Sequence, residues 1–82
     1  MESQLITGLQ IRSARAALRW TTEKLASEAG IAARTIKRLE QEEGIPASRS
    51  TTLIDLKRAL EGAGIEFIGT PEGQPGVRFK AP

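Results

Sequence analysis

Between Trp20 and Glu40 the chain carries two short helical patterns with only a glycine turn between them, WTTEKLASEAGIAARTIKRLE. Thr21 precedes a run of helix formers and is placed as an N-cap, where its hydroxyl can take one of the orphan backbone N–H groups. Counted from that cap, Trp20 and Leu25 hold the N′ and N4 positions of a hydrophobic staple. Leu25, Ala26 and Ala29 form a narrow apolar face at helical spacing. Gly30 follows at once and suits the left-handed position that ends a helix without steric cost. Ile31 opens the next element, in which Ile36 and Leu39 share a buried side. So short a connection, with a Gly in it, favours a steep crossing of the two helices over an antiparallel hairpin.

The outer face of the second helix carries the charge. Ala33, Arg34, Lys37 and Arg38 fall at i, i+1, i+4 and i+5, which is one side of a helix. Arg34 lies in the first turn, where the macrodipole disfavours a cation. Arg34 and Arg38 are like charges four residues apart, which costs roughly 0.2–0.5 kcal/mol in an isolated helix. A basic stripe alone most often only solvates a surface. Two unfavourable placements on one helix weigh against that reading, because a bound polyanion offsets both.

On these residues the stretch resembles the helix-turn-helix of phage-repressor and Cro-like regulators, the group often called xenobiotic-response-element regulators. The matching residues are Thr21 at the cap, Leu25-Ala26 in the first helix, Gly30-Ile31 in the turn, and Thr35-Ile36 followed by Arg38-Leu39-Glu40. The likeness reaches back through a preceding helix with Ile11, Arg15 and Leu18, and forward past Pro46 into the next helix, over about residues 7–63. Carried over position by position, it implies that Ala33, Arg34, Lys37 and Arg38 face base edges, Arg34 and Arg38 foremost. An Arg fork bonding G O6 and N7 supplies about 1–3 kcal/mol of discrimination. Thr22 stands where such proteins often have a longer Gln, so its reach is limited to a phosphate.

The resemblance has departures. Ala32 replaces the Ser or Thr that usually caps the recognition helix. Ala33 cannot hydrogen-bond a base, although its methyl can meet that of thymine. Glu42 and Glu43 fall in a loop that often carries Lys, Arg or Asn, and are expected to turn away from DNA or to weaken non-specific binding. Arg15 and Glu40 stand where similar proteins form a partly buried salt bridge, a structural role rather than a DNA contact.

Composition narrows the function classes. The chain has 82 residues and neither Cys nor His. That size reads as one small domain. A thiol nucleophile, an imidazole base, a disulfide and the usual zinc frameworks are excluded. No nucleophile–base constellation or phosphate-binding Gly loop is present, so the expectation is not an enzyme, with no metal and no cofactor. Apolar runs span a few residues only, which gives no membrane span and no secretory segment. The absence of Cys fits a reducing cytoplasm, so a cytoplasmic, nucleoid-associated protein is expected. The net charge of +2 is uneven: residues 1–40 hold seven cations against four anions, the remainder five against six. The basic excess coincides with the motif.

The rest divides simply. Residues 1–6 read as a flexible lead, 7–64 as the helix-turn-helix domain, and 65–82 as a β-hairpin. Thr7 is placed to cap a first helix to about Arg19, with Ile11, Ala14 and Leu18 inside. Gly44 to Arg49 is a loop. Ser50, Thr51 or Thr52 starts a fourth helix with Leu53, Leu56 and Leu60 on one face. Arg49 and the free N–H groups at Ser50 and Thr51 suit a phosphate. Gly62 and Gly64 close that helix. After Gly64 the period changes to two, with Ile65–Ile68 and Val77–Lys80 as strands around a TPEGQPG turn. Pairing Phe67 with Val77 and Ile65 with Phe79 sets all four on one face and Glu66 opposite Arg78.

The fold class expected is mainly α, a compact four-helix repressor-like domain with a C-terminal β-hairpin. The hairpin either covers the helical core or pairs with its copy, making Ile65, Phe67, Val77 and Phe79 a dimer contact. The function expected is a DNA-binding transcriptional regulator, a repressor binding double-stranded DNA at an inverted repeat as a homodimer. The alternative is an antitoxin or other module whose main partner is another protein.

Overall fold

The computed structural model describes residues 5–80. Four helices lead into an antiparallel hairpin: α1 Gly8–Ala17, α2 Thr22–Ala29, α3 Ala33–Glu40, α4 Ser50–Gly62, β1 Ile65–Ile68 and β2 Gly76–Phe79. This is the mainly helical class with a C-terminal hairpin that the periodicity predicts. The first two helices have local causes for where they start and stop. Thr7 accepts from the Gln10 backbone N–H while the Gln10 side chain accepts from Thr7 N–H, a complete capping box. Thr21 caps α2 through the Lys24 N–H at 3.0 Å. Gly30, at φ 72°, ends it in the left-handed region.

The first helix is shorter than expected. It ends at Ala17, and Arg19 adopts φ 59°. The reason is a helix-closing pair of bonds, Arg19 N–H to Ala16 O and Trp20 N–H to Arg15 O, both 3.0 Å. That pattern is the Schellman motif, with an arginine in the position glycine usually takes. It turns the chain so that Trp20 packs against the core beside α2.

The core lies where the helices converge. Ile11 and Ala14 of α1, Leu25 of α2, Ile36 and Leu39 of α3, and Leu53, Leu56 and Leu60 of α4 are all buried in one cluster. Removing several methylenes from any of these large side chains costs about 2–5 kcal/mol. Ile6, which falls within the expected lead, belongs to the same cluster at 1 % exposure. Residues 1–4 of the expected lead, and residues 81–82 of the hairpin segment, lie outside the described residues.

The strands pair in the expected register, Ile65 with Phe79, Glu66 with Arg78 and Phe67 with Val77. Arg78 Nη1 donates to Glu66 Oε1 at 3.3 Å. The apolar face turns inward: Ile65 is 3 % exposed, and Phe67 and Val77 pack against the helical cluster. Gln10 Nε2 also donates to the carbonyls of Gly76 at 2.9 Å and Ile68 at 3.4 Å, tying α1 to the turn end of the ladder. An isolated hairpin is marginal in water, and these contacts are what hold it here. The hairpin thus covers the helical core, with Ile65 buried, Phe67 and Val77 half-buried against the cluster, and Phe79 exposed at 46 %.

Candidate nucleic-acid interface

Only three residues, Gly30 to Ala32, join α2 to α3, and they fix which side of α3 faces out. Ile36, Leu39 and Glu40 are buried, while Arg34, Lys37 and Arg38 are exposed and Ala33 is half-buried. The helix has no side-chain cap at Ala32, as the missing hydroxyl predicts. Among the described residues Arg34 makes no hydrogen bond or ion pair. A cation with five donors and no partner in a helix's first turn is an arrangement that an incoming anion stabilises.

Arg38 and Lys37 connect the stripe to its two neighbours. Arg38 Nη1 donates to the Ala47 carbonyl at 3.1 Å. That contact draws the loop before α4 against the stripe, and with it Arg49, Ser50 and Thr51 two to four residues on. Arg49 holds the N-cap position of α4 with no side-chain cap bond, and all three residues are exposed. On the other side Lys37 Nζ lies 3.5 Å from Glu23 Oε2 in the first turn of α2, next to Thr22. Arg38 thus contacts the loop that leads to Arg49, Ser50 and Thr51, and Lys37 contacts the neighbour of Thr22. The hairpin packs instead on α1 and α4. Of the loop acids, Glu42 and Glu43 are both exposed.

The frame behind the stripe is fixed by Arg15 and Glu40. Arg15 Nε lies 2.8 Å from Glu40 Oε2, and Nη2 lies 3.0 Å from Oε1, a bidentate pair. Arg15 Nη1 also donates to Trp20 O at 2.9 Å. Hydrogen bonding to Glu40 raises the Arg15 pKa further above its ordinary value, against the opposing effect of burial. Arg12 Nη1 closes the end of α3 by donating to Glu40 O at 2.7 Å. Gly8 lets α1 lie directly on that end. A Cβ there would run into the carbonyl oxygens of Leu39 and Glu42.

Three contributors are not among the predicted site residues. Glu23 binds two residues assigned to DNA, accepting from the Thr22 hydroxyl at 3.1 Å as well as from Lys37. Its carboxyl is held below the usual carboxylate range, first by its own backbone N–H, then by Thr22 and then by Lys37. Gln10 is signalled in the sequence by Thr7-x-x-Gln10, the spacing of a capping box. Arg12 carries no local signal, since its partner is a carbonyl at the end of another helix.

Among the described residues no cluster of three or more His, Cys, Asp or Glu is placed to hold a metal ion. None of their helices is long and apolar enough to cross a membrane. No protein-family model matches the chain, and no curated protein sequence matches it either.

Proposed function

We propose that the chain is a sequence-specific DNA-binding transcriptional regulator, acting as a repressor by occluding polymerase, of the repressor-like and Cro-like kind it resembles. One observation carries this reading: α3 presents Arg34, Lys37 and Arg38 outward, with Lys37 paired to Glu23 at the start of α2 and Arg38 bonded to Ala47 in the loop before α4. Such a surface suits an α-helix entering the major groove with phosphate contacts beside it. Arg34 reads a guanine edge, Arg38 a neighbouring base, and Lys37 a base or phosphate. Ala33 contributes only a methyl contact, and Thr22, Arg49, Ser50 and Thr51 hold the backbone.

A single module of this size covers few base pairs, so the reading includes a homodimer on an inverted repeat. Its half-sites are about one helical turn, ~34 Å, apart. Contact between copies through the hairpin runs through Phe79 and the outer strand edges, since the rest of the apolar face is covered. The protein then works in the cytoplasm at the nucleoid.

Titration of a labelled duplex at graded salt tests the reading. Binding should weaken linearly in log–log form, losing about 0.9 per phosphate contacted. A protein that stays unbound at low salt and high concentration would contradict a DNA-binding role and favour the protein-partner alternative.

A further inference from the structure

The surface just described contains an anion already. Glu23 sits in the first turn of α2, exposed, with its carboxylate on the Thr22 hydroxyl at 3.1 Å and on Lys37 Nζ at 3.5 Å. A hydroxyl at a helix start together with a lysine ammonium is the donor set that a DNA phosphate oxygen takes. Both donors are residues that the DNA-binding reading assigns to nucleic acid. A carboxylate that served only the helix start would have no need of Lys37, fourteen positions on and across the turn.

We propose that Glu23 is a built-in phosphate surrogate, which occupies Thr22 and Lys37 in the free protein and is displaced by a backbone phosphate on binding. The inference rests on the DNA-binding reading and adds a regulatory residue to it. Both partners are more than half exposed, at 59 % and 67 % of their side-chain surface. An exposed pair of this length is weak, so a duplex phosphate can displace it. The displacement costs the same wherever a phosphate takes Thr22 and Lys37, so it lowers the affinity for duplex DNA of any sequence by a similar factor.

The test uses the full chain and a 30-bp duplex of random sequence, followed by fluorescence anisotropy from about 50 to about 200 mM salt. Glu23→Gln should bind about two- to fivefold more tightly at the low-salt end, the scale of an exposed ion pair. Its log–log salt slope should steepen by about one contact. Glu28→Gln removes the same charge from the same helix, where Glu28 pairs with Lys24 at 3.2 Å, and should give a clearly smaller gain. In a Lys37→Met background the gain from Glu23→Gln should fall by more than half. Equal gains from both glutamines, or a gain independent of Lys37, would overturn the proposal by reducing it to bulk charge. An unchanged Glu23→Gln affinity, with the parent still binding duplex, overturns the surrogate alone. Absence of binding by parent and variant together brings down the DNA-binding reading itself.

Discussion

Arg15 and Glu40 join the first helix to the end of the third by two parallel charge-assisted bonds, 2.8 and 3.0 Å long. The two sides of the pair are unequally buried, with 7 % of the Glu40 side chain exposed against 23 % for Arg15. Removing the arginine strands a desolvated carboxylate. Arg15→Ala should therefore cost about 3–5 kcal/mol, the range for breaking one side of a buried pair. Glu40→Ala leaves a guanidinium that keeps its bond to Trp20 O and can rehydrate, and should cost about 1–3 kcal/mol. Urea unfolding of both variants checks the order. Equal losses, or a loss below 1 kcal/mol in either (roughly the worth of an exposed pair), would contradict it.

Gly8 is needed for space rather than for an unusual backbone angle. The oxygens that a Cβ would meet belong to the backbone at Leu39 and Glu42 and cannot rotate away. Gly8→Ala should therefore destabilise by at least the ~1–3 kcal/mol typical of overpacking, despite alanine's better helix propensity. Thermal unfolding reads this as a drop of roughly 4–8 °C per kcal/mol for a domain of this size. A midpoint at or above the parent's would mean that α1 can withdraw from α3 at no cost.

Gln10 performs two tasks with one side chain. It completes the capping box with Thr7 and donates to the carbonyls of Ile68 and Gly76. Gln10→Leu loses both and should cost about 1–3 kcal/mol, as expected when buried acceptors are left unpaired. The local readout is hydrogen exchange, which should rise at β1 and β2 amides beyond the change in global stability. Uniform exchange across helices and hairpin would show that Gln10 does not anchor the hairpin.

The hairpin shows how far the sequence could be read and where it stopped. Alternation in Ile65–Ile68 and Val77–Phe79 predicts the register correctly, because a period of two admits one pairing that sets Glu66 on Arg78. It does not say what the apolar face meets, and a face that fits a second copy fits the domain's own helices equally well. The helices were legible for the same local reasons, Thr7 and Thr21 as caps and Gly30 as a stop. Arg19 hid the end of α1, since a left-handed arginine carries no signal that a glycine would. At the candidate interface the stripe on α3 followed from spacing alone. Glu23 did not, because its link to Lys37 exists only once α2 and α3 have crossed.

Phe79 now carries the dimer prediction. It is the exposed member of the hairpin's apolar face, so Phe79→Ser should leave the thermal midpoint nearly unchanged while weakening self-association. Deletion of residues 65–82 is a poorer test, since it uncovers a core that Ile65, Phe67 and Val77 help to close. Sedimentation of parent and Phe79→Ser across a concentration series decides the matter. A dimer of equal affinity in both proteins would place the contact elsewhere.

The central claim is that the outer face of α3 reads base pairs, with the exposed Arg34 as its leading contact. Selection from a pool of random duplexes, followed by sequencing, measures this most directly for the parent and Arg34→Ala. The parent should recover an inverted repeat, and Arg34→Ala should relax preference at one position in each half-site by about 1–3 kcal/mol, the worth of one bidentate Arg–guanine pair. Recovery of no preferred sequence by the parent, or of the same site at undiminished preference by Arg34→Ala, would contradict the claim.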